Sequence, residues 1–213
     1  WMRPGPKAGD GPDKPEAFGA GVLWTNGGTR GFGAFDHRAW GDGAWRTTAI
    51  GAHADMRLSY PGLLLAQGED RKFTLQVQGI SLKAERTFGK GPNHLELQAL
   101  ASQTTPDFGL DLPVELSADR FRQDVRGLGV GWTRDTRDEI YSPAKGHRLH
   151  LGITSYGNWV GASFNATSFD ARLFDYRRLS PRVVWGTRIV LHTIHGDPPF
   201  YMRPYVDLRG IPA

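Results

Sequence analysis

The stretch that decides the fold is GVGWTRDTRDEIYSPAKGHRLHLGI, residues 129–153. At both ends, apolar side chains alternate with small or polar ones, which is the period-two pattern of β-strands. Between the ends lies a dense cluster of charges with a Pro and a Gly, and these two residue types shape turns. The stretch therefore predicts two antiparallel strands that are joined by a charged turn.

The alternation also predicts which side chains of the two strands share a face. One face carries apolar residues, namely Leu128, Val130, Trp132, Leu149, Leu151 and Ile153. The opposite face carries Gly127, Gly129, Gly131, Thr133, Asp135, Arg137, Arg148, His150, Gly152 and Thr154. After Trp132 the next residue on the apolar face is Arg134, which is costly to place in hydrocarbon, whereas Trp rings collect at membrane interfaces. The pattern predicts a lipid-facing surface with Trp132 as its interface anchor.

The turn itself offers a set of candidate site residues. We expect Asp135, Arg137 and Asp138 to pair across the turn, and Pro143 and Gly146 to shape it. The two aspartates also suggest a general acid and base. Because an arginine stands next to each of them, a structural charge lattice is the preferred interpretation, and no enzymatic activity is expected.

Composition excludes several other classes of function. The chain has 213 residues, 28 glycines and no cysteine, so disulfides and Cys nucleophiles are excluded. The 26 basic and 22 acidic residues are mixed along the chain, so a nucleic-acid partner is not expected in spite of the net charge of +4. No apolar run of about 18 residues predicts a transmembrane helix, but β-strands of about 9–11 residues can also cross a membrane.

Histidine pairs were considered as metal ligands. His192 and His195 are three residues apart, as are His147 and His150. This spacing places the two members of each pair on opposite faces of a strand, which is poor geometry for one ion. We therefore expect no metal and no cofactor.

The rest of the chain continues the strand pattern. Strands are predicted at residues 18–25, 29–40, 44–60, 71–88, 94–103, 112–121, 127–137, 147–156, 159–176 and 181–195, and helical spacing is not sustained anywhere. Residues 1–17, rich in Gly, Pro and Lys, are predicted to be a loose linker, followed by one all-β domain over residues 18–213. The strands are long for a soluble domain.

Two details of these strands lead to further expectations. In residues 44–60 the small apolar side chains Ile50, Ala52, Ala54 and Met56 share a face, which fits contact with lipid because lipid makes little demand for close packing. In residues 71–88 the apolar set moves to the opposite face near Gly79. A β-bulge at Gly79 would explain this change of phase.

Two segments carry a resemblance to a known family. Residues 127–153 resemble the signature of the bacterial surface antigen family, the barrel part of BamA/TamA-type outer-membrane proteins. The matching positions are Asp135, Thr136, Arg137, Asp138, Pro143 and Gly146. The segment PPFYMRPYVDLRGIPA, residues 198–213, resembles the start of the family's long sixth extracellular loop. There the matches are Pro199, Phe200, Tyr201, Arg209 and Gly210, while Ile211 departs from the usual aromatic.

The resemblance implies a transmembrane antiparallel β-barrel of sixteen strands. This chain would supply about ten to eleven of them and end in the sixth extracellular loop, with Arg209 and Gly210 bracing that loop inside the lumen. The implied location is the bacterial outer membrane. The implied role is assistance in the insertion or translocation of proteins there, with outer-membrane lipid and unfolded outer-membrane protein clients as partners.

Two alternatives remain open at this stage. One is a stand-alone barrel that acts as a passive pore or as a membrane anchor. The other is a soluble β-sandwich binding module, because a sandwich strand also alternates apolar and polar residues.

Overall fold

The computed structural model describes residues 1–3, 15–60, 71–88, 91–107 and 122–204. The all-β expectation is confirmed: ten strands form one antiparallel sheet in the order of the chain. The strands are β1 (Met2–Arg3), β2 (Glu16–Trp24), β3 (Arg30–Trp40), β4 (Trp45–Tyr60), β5 (Arg71–Thr87), β6 (Asn93–Asp107), β7 (Gln123–Asp135), β8 (Gly146–Tyr156), β9 (Ala166–Ser180) and β10 (Val183–Gly196). Two short 3-10 turns, Asn158–Val160 and Phe200–Met202, accompany them.

Three further predictions concern the linker at residues 1–17, the strand at residues 112–121 and transmembrane helices. Part of the predicted linker is ordered as strand, because Met2 and Arg3 pair with Ala17 and Glu16. The strand predicted at residues 112–121 lies outside the described residues. Among the described helical turns, none is long and apolar enough to cross a membrane.

Within the described residues the sheet is not closed into a barrel. Closure requires the last strand to pair with the first. Within the described residues, β10 pairs with β9 and β1 pairs with β2, and no ladder joins β10 to β1. The described strands therefore form an open sheet whose two edges are β1 and β10.

The registers divide the sheet into two faces, because directly paired residues in a ladder point to the same side. The face named apolar carries Ile80, Leu82, Leu95, Leu97, Leu128, Val130, Leu151, Ile153, Phe169, Ile189 and Leu191. The face named polar carries Lys83, Glu85, Glu96, Thr133, Asp135, Arg148, His150, Asp170, Arg172 and His192. The predicted division into two faces is confirmed for residues 127–135 and 148–154, whereas Arg137 lies in the turn after β7.

The predicted β-bulge at Gly79 is wrong. Strand β5 pairs with β4 and with β6 in continuous register through this glycine. The apolar side chains therefore do change faces: Leu75 and Val77 lie on the polar face, as does Val125 of β7. Leu75 and Val125 are among the most buried apolar side chains of the described residues.

The lipid-facing assignment of Ile50, Ala52, Ala54 and Met56 is also not supported by the pairing. Ile50 pairs with Ser81, one row from the pair of Thr48 with Lys83, and these residues lie on the polar face. Strand β4 carries Ala on both faces, and its polar residues His53, Asp55 and Arg57 lie on the side named apolar, so β4 alone does not identify the polar face. The charged side chains of its neighbour β5 decide which side is polar.

Candidate functional site

The polar face surrounds a cavity of about 770 Å³. Strands β4 to β10 all contribute lining residues, so the sheet curls around this space. Its charged and polar wall includes Lys83, Glu96, Arg148, His150, Asp170, Arg172, Arg188 and His192. Charged side chains taken out of water require partners, and their pairing defines the site.

Glu96 is the buried acceptor at one end of this wall. Its side chain is only 8% exposed, and its oxygens lie 3.7 Å from Lys83 Nζ and 3.4 Å from His150 Nδ1. The hydroxyl of Thr133 donates to the same carboxylate. Lys83 also contacts Glu85 at 2.6 Å, so each buried charge in this group has a partner of opposite sign.

His150 lies across two glycines. The position that a Cβ of Gly131 would take is 3.3 Å from His150 Cε1, and that of Gly152 is 3.1 Å from His150 Nε2. These two glycines pair directly with each other in the β7–β8 ladder. Because neither has a side chain, the imidazole ring reaches over both strands, from Glu96 on β6 to Asp170 on β9. The alternating glycines of the sequence thus make room for a histidine that links distant strands.

At the other end of the cavity wall, Asp170 is in contact with one guanidinium group and two imidazole rings. Its carboxylate is 2.9 Å from Arg172 Nε, 3.5 Å from His150 Nε2 and 3.6 Å from His192 Nδ1. His192 lies directly opposite Asp170 in the ladder, as the face assignment requires. The network therefore runs around the wall from β5 to β10 and ties together strands that are not neighbours.

The turn residues form a second, compact unit. The guanidinium of Arg137 donates to both carboxylate oxygens of Asp135, at 2.9 and 2.8 Å, and Asp135 is fully buried. This hydrogen bond raises the pKa of Arg137 above its usual value. The pairing expected between these two residues is confirmed.

Asp138 plays a different part from the one expected. Its carboxylate accepts hydrogen bonds from the backbone N–H groups of Ala144 and Lys145, at 2.9 and 3.3 Å, and pairs with no arginine among the described residues. The hydrogen bond from Ala144 is the main reason that the pKa of Asp138 is below its usual value. Asp138 therefore shapes the loop, together with the half-buried Pro143.

Gly146 ends the turn in a conformation that suits glycine. Its φ is +95°, and an added Cβ would lie 2.2 Å from the carbonyl oxygen of Thr136. This close approach leaves no space for a side chain. The expected role of Gly146 in shaping the turn is confirmed.

The segment that resembles the sixth loop begins against the polar face. Pro198 and Pro199 are buried, and the hydroxyl of Tyr201 donates to Gln123 Oε1 at 3.3 Å. Burial raises the pKa of Tyr201. Phe200 lies in the same 3-10 turn. Arg209 and Gly210 lie outside the described residues.

The apolar face is a broad exposed surface. Leu97, Val130 and Ile189 are each more than half exposed, at 54%, 53% and 57%. A depression of about 740 Å³ lies on this face, between β4 and β8. Monomeric soluble proteins rarely expose apolar side chains in a continuous area of many neighbouring strands.

Tryptophans mark the hairpin end of the apolar face. Trp40 and Trp45 pair across the β3–β4 turn, and the guanidinium of Arg86 stacks 5.1 Å from the Trp45 ring. Trp132 lies between Leu95 and Leu151 and is the last apolar residue before Arg134. It therefore lies at the end of the apolar row of β7.

The sequence analysis missed the network centred on Glu96 and Asp170. The signal present in the sequence was the placement of charged residues opposite the apolar row of each strand. It was hard to use because the partners belong to different strands, as Glu96 of β6 and His150 of β8 do, and the sequence does not show which strands lie side by side.

Most charges of this arrangement are paired within the protein. No group of three or more described His, Asp or Glu side chains could hold a metal ion. The chain matches no protein-family model and no curated protein sequence.

Proposed function

We propose that the sheet is part of a bacterial outer-membrane β-barrel of the BamA/TamA type. In this proposal the apolar face contacts lipid, and the polar face lines the lumen. The observation that carries the proposal is the exposed apolar band that crosses β5 to β10 opposite a polar face whose charges are paired and partly buried. Transmembrane barrel strands have this alternation of apolar-out and polar-in residues.

The dimensions of the band support contact with a membrane. On β7 the apolar row is bounded by Arg126 and Arg134. Eight residue steps span about 27 Å along a strand, and a tilt of about 40° reduces this to about 21 Å along the membrane normal. Outer-membrane barrels have apolar bands of about 25 Å. A band this short would thin the adjoining bilayer, at a modest cost.

The proposed role is assistance in the insertion or translocation of other outer-membrane proteins. Thinned lipid lowers the barrier to insertion, and a weakly paired seam in the closed barrel would offer backbone groups to an incoming strand. The choice of this role over other barrel functions comes from the resemblance of residues 127–153 and 198–213 to the bacterial surface antigen family.

The test reconstitutes the full chain in liposomes and adds a urea-denatured outer-membrane barrel protein as client. Folding of the client is followed by the shift of its gel migration on boiling. We expect faster folding than in empty liposomes. Recovery of the chain in water without detergent would overturn the membrane proposal. Ion conductance without faster client folding would instead identify a passive pore.

A further inference from the structure

Three arginines gather on one part of the cavity wall. The ladders place Arg148 of β8, Phe174 of β9 and Arg188 of β10 in one row, and Arg172 lies two residues from Phe174 on the same face. All four side chains line the cavity. The row therefore presents an aromatic ring between cationic groups.

The acidic residues near this row are already engaged. Asp135 holds Arg137 through two hydrogen bonds, and Asp170 holds Arg172. Arg148 Nε comes no closer than 3.9 Å to Asp135, and this buried nitrogen makes no hydrogen bond. A buried donor without an acceptor costs free energy, so Arg148 is poised to gain from an added anion.

Arg188 is the second cation available to a ligand. Its guanidinium carbon lies 5.5 Å from the centre of the Phe174 ring, and it forms no ion pair with any described carboxylate. The side chain is exposed to the cavity. Together with Arg148, whose neighbour Asp135 already binds Arg137, it gives this wall two guanidinium groups that can bind an added anion.

The spacing of the cations indicates the shape of the ligand. Arg148 and Arg188 arise from strands separated by one intervening strand, which places their backbones about 9.6 Å apart. The cavity of about 770 Å³ is far larger than one small anion. An extended chain with side chains on one side every second residue, about 6.8 Å apart, can present several carboxylates to such a wall. Guanidinium groups bind carboxylates through paired hydrogen bonds.

We propose that the wall formed by Arg148, Arg172, Arg188 and Phe174 binds an acidic peptide segment. The carboxylates meet the guanidinium groups, and the ring of Phe174 supports the peptide between them. This inference goes beyond the proposed insertion role and does not depend on it. Binding is measured in detergent without a bilayer or a client, so its failure leaves the insertion test unaffected, and the reverse also holds.

The experiment uses the full chain folded in detergent and a fluorescein-labelled hexapeptide with Asp at alternate positions. The probe's counterpart has Asn in place of Asp. We expect the Asp peptide to bind, with weaker affinity at higher salt, and the Asn peptide not to bind. Arg148→Gln and Arg188→Gln should each weaken binding by about fivefold to tenfold, the loss of one charged hydrogen-bond partner.

The matched control is Arg177→Gln on β9, the strand between those of Arg148 and Arg188. Arg177 lies on the opposite face and pairs with Asp175. This change should leave binding unchanged. Equal binding of the Asn peptide, unchanged affinity in both cavity variants, or displacement of the peptide by equimolar inorganic phosphate would overturn the proposal. If Arg148→Gln lacks the β-rich circular dichroism of the parent chain, the exposed Arg188 carries the test alone.

Discussion

The two faces of the sheet are made by the same strands, yet they are built in opposite ways. On the polar face, glycines leave space for long side chains that reach one another, as His150 reaches over Gly131 and Gly152. On the apolar face, side chains such as Leu97 and Val130 remain more than half exposed. One face supplies its own partners, and the other leaves its side chains for the surroundings to cover.

This difference predicts which mutations should change the free energy of unfolding. Changes on the polar face act within the protein, because they leave a paired charge without its partner or fill a space in use. Changes on the apolar face act through the solvent, and their cost should appear only when lipid or detergent covers that face. The following predictions test this contrast in order of expected size.

The largest effect is expected for Asp135→Ala. This change leaves Arg137, whose side chain is only 10% exposed, without its carboxylate. Loss of one member of a buried ion pair lowers the free energy of unfolding by about 3–5 kcal/mol. Denaturant unfolding in detergent, followed by circular dichroism, measures it.

The control for Asp135→Ala is Asp175→Ala. It removes the carboxylate of a second Asp-x-Arg ion pair, in which the arginine is exposed. Arg177 there is 74% exposed, so the loss should stay below about 1 kcal/mol. Equal losses in the two variants would show that burial does not distinguish the two pairs.

The next effect concerns the apolar face. Leu97→Arg places a charge near the middle of the apolar band, and in a barrel embedded in lipid this should cost about 2–4 kcal/mol. Its neighbour Gln98 points to the polar face and lines the cavity. Gln98→Arg is therefore the control and should cost much less. Folding yields into liposomes, measured by the boiling-dependent gel shift, compare the two.

If Leu97→Arg and Gln98→Arg fold into liposomes with similar yields, the two faces do not differ in their contact with lipid. This result would mean that lipid does not cover Leu97. The membrane proposal would then lose its main support, whereas the polar-face network would be unaffected.

A smaller effect is expected from adding a methyl group to one glycine on each face. At Gly129 of the polar face, an added Cβ would lie 2.6 Å from Thr154 Oγ1 and 3.1 Å from the Ile153 carbonyl oxygen. Gly129→Ala should therefore cost about 1–3 kcal/mol by overpacking. At Gly51 of the apolar face the nearest atom would be 4.0 Å away. Gly51→Ala should gain about 0.5–1 kcal/mol, the usual advantage of Ala over Gly in a strand.

Unfolding midpoints of the two alanine variants in detergent provide the comparison. A destabilised Gly51→Ala would show that the apolar face is more closely packed than its geometry indicates. A neutral Gly129→Ala would show that Thr154 can move aside at little cost.

The smallest effect is expected at Asp138, which lies in the turn between β7 and β8 and belongs to neither face. The folded-state pKa of Asp138 lies below its unfolded value because the N–H groups of Ala144 and Lys145 bind the carboxylate. Such a group stabilises the protein fully above its unfolded pKa of about 3.9, and this contribution is lost as pH falls through the lower folded-state pKa.

The Asp138→Asn variant should therefore have a flatter loss of stability in acid than the parent chain. Thermal unfolding midpoints across pH 2–6, a range of about four units that brackets the carboxyl titration, measure this slope. Glu139→Gln, at the exposed adjacent position, is the control and should leave the slope unchanged. An identical slope in Asp138→Asn would mean that the loop does not depend on this carboxylate.

Much of the fold could be predicted from local patterns. The predicted strand at residues 71–88 corresponds to β5 (Arg71–Thr87), and that at residues 147–156 to β8 (Gly146–Tyr156). Agreement is poorer at residues 159–176, because Asn158–Val160 forms a 3-10 turn and β9 begins only at Ala166. Trp159 is apolar but belongs to the connection, and hydrophobicity alone does not show this.

The face assignment made from sequence agrees with the structure for β7 and β8 and disagrees for β4. In residues 127–132 Gly alternates with Leu, Val and Trp, and the apolar side chains do lie on the apolar face. In β4 the apolar residues Ile50 and Met56 lie on the side that Lys83 of β5 makes polar, which the pairing of Thr48 with Lys83 shows and the sequence of β4 does not. At Gly79 a real exchange of apolar residues between faces had the same local pattern as a bulge.

The sequence by itself determined the all-β class, most strand positions, the faces of β7 and β8 and the charged turn with its Asp135–Arg137 pair. These depend on residues close together in the chain, and period-two alternation and turn chemistry are local properties. Only the tertiary structure decided that Glu96, His150 and Asp170 meet across β6 to β9, and that Arg148 and Arg188 flank Phe174. Such contacts follow from strand register and from the curl of the sheet, which join residues that are far apart in sequence.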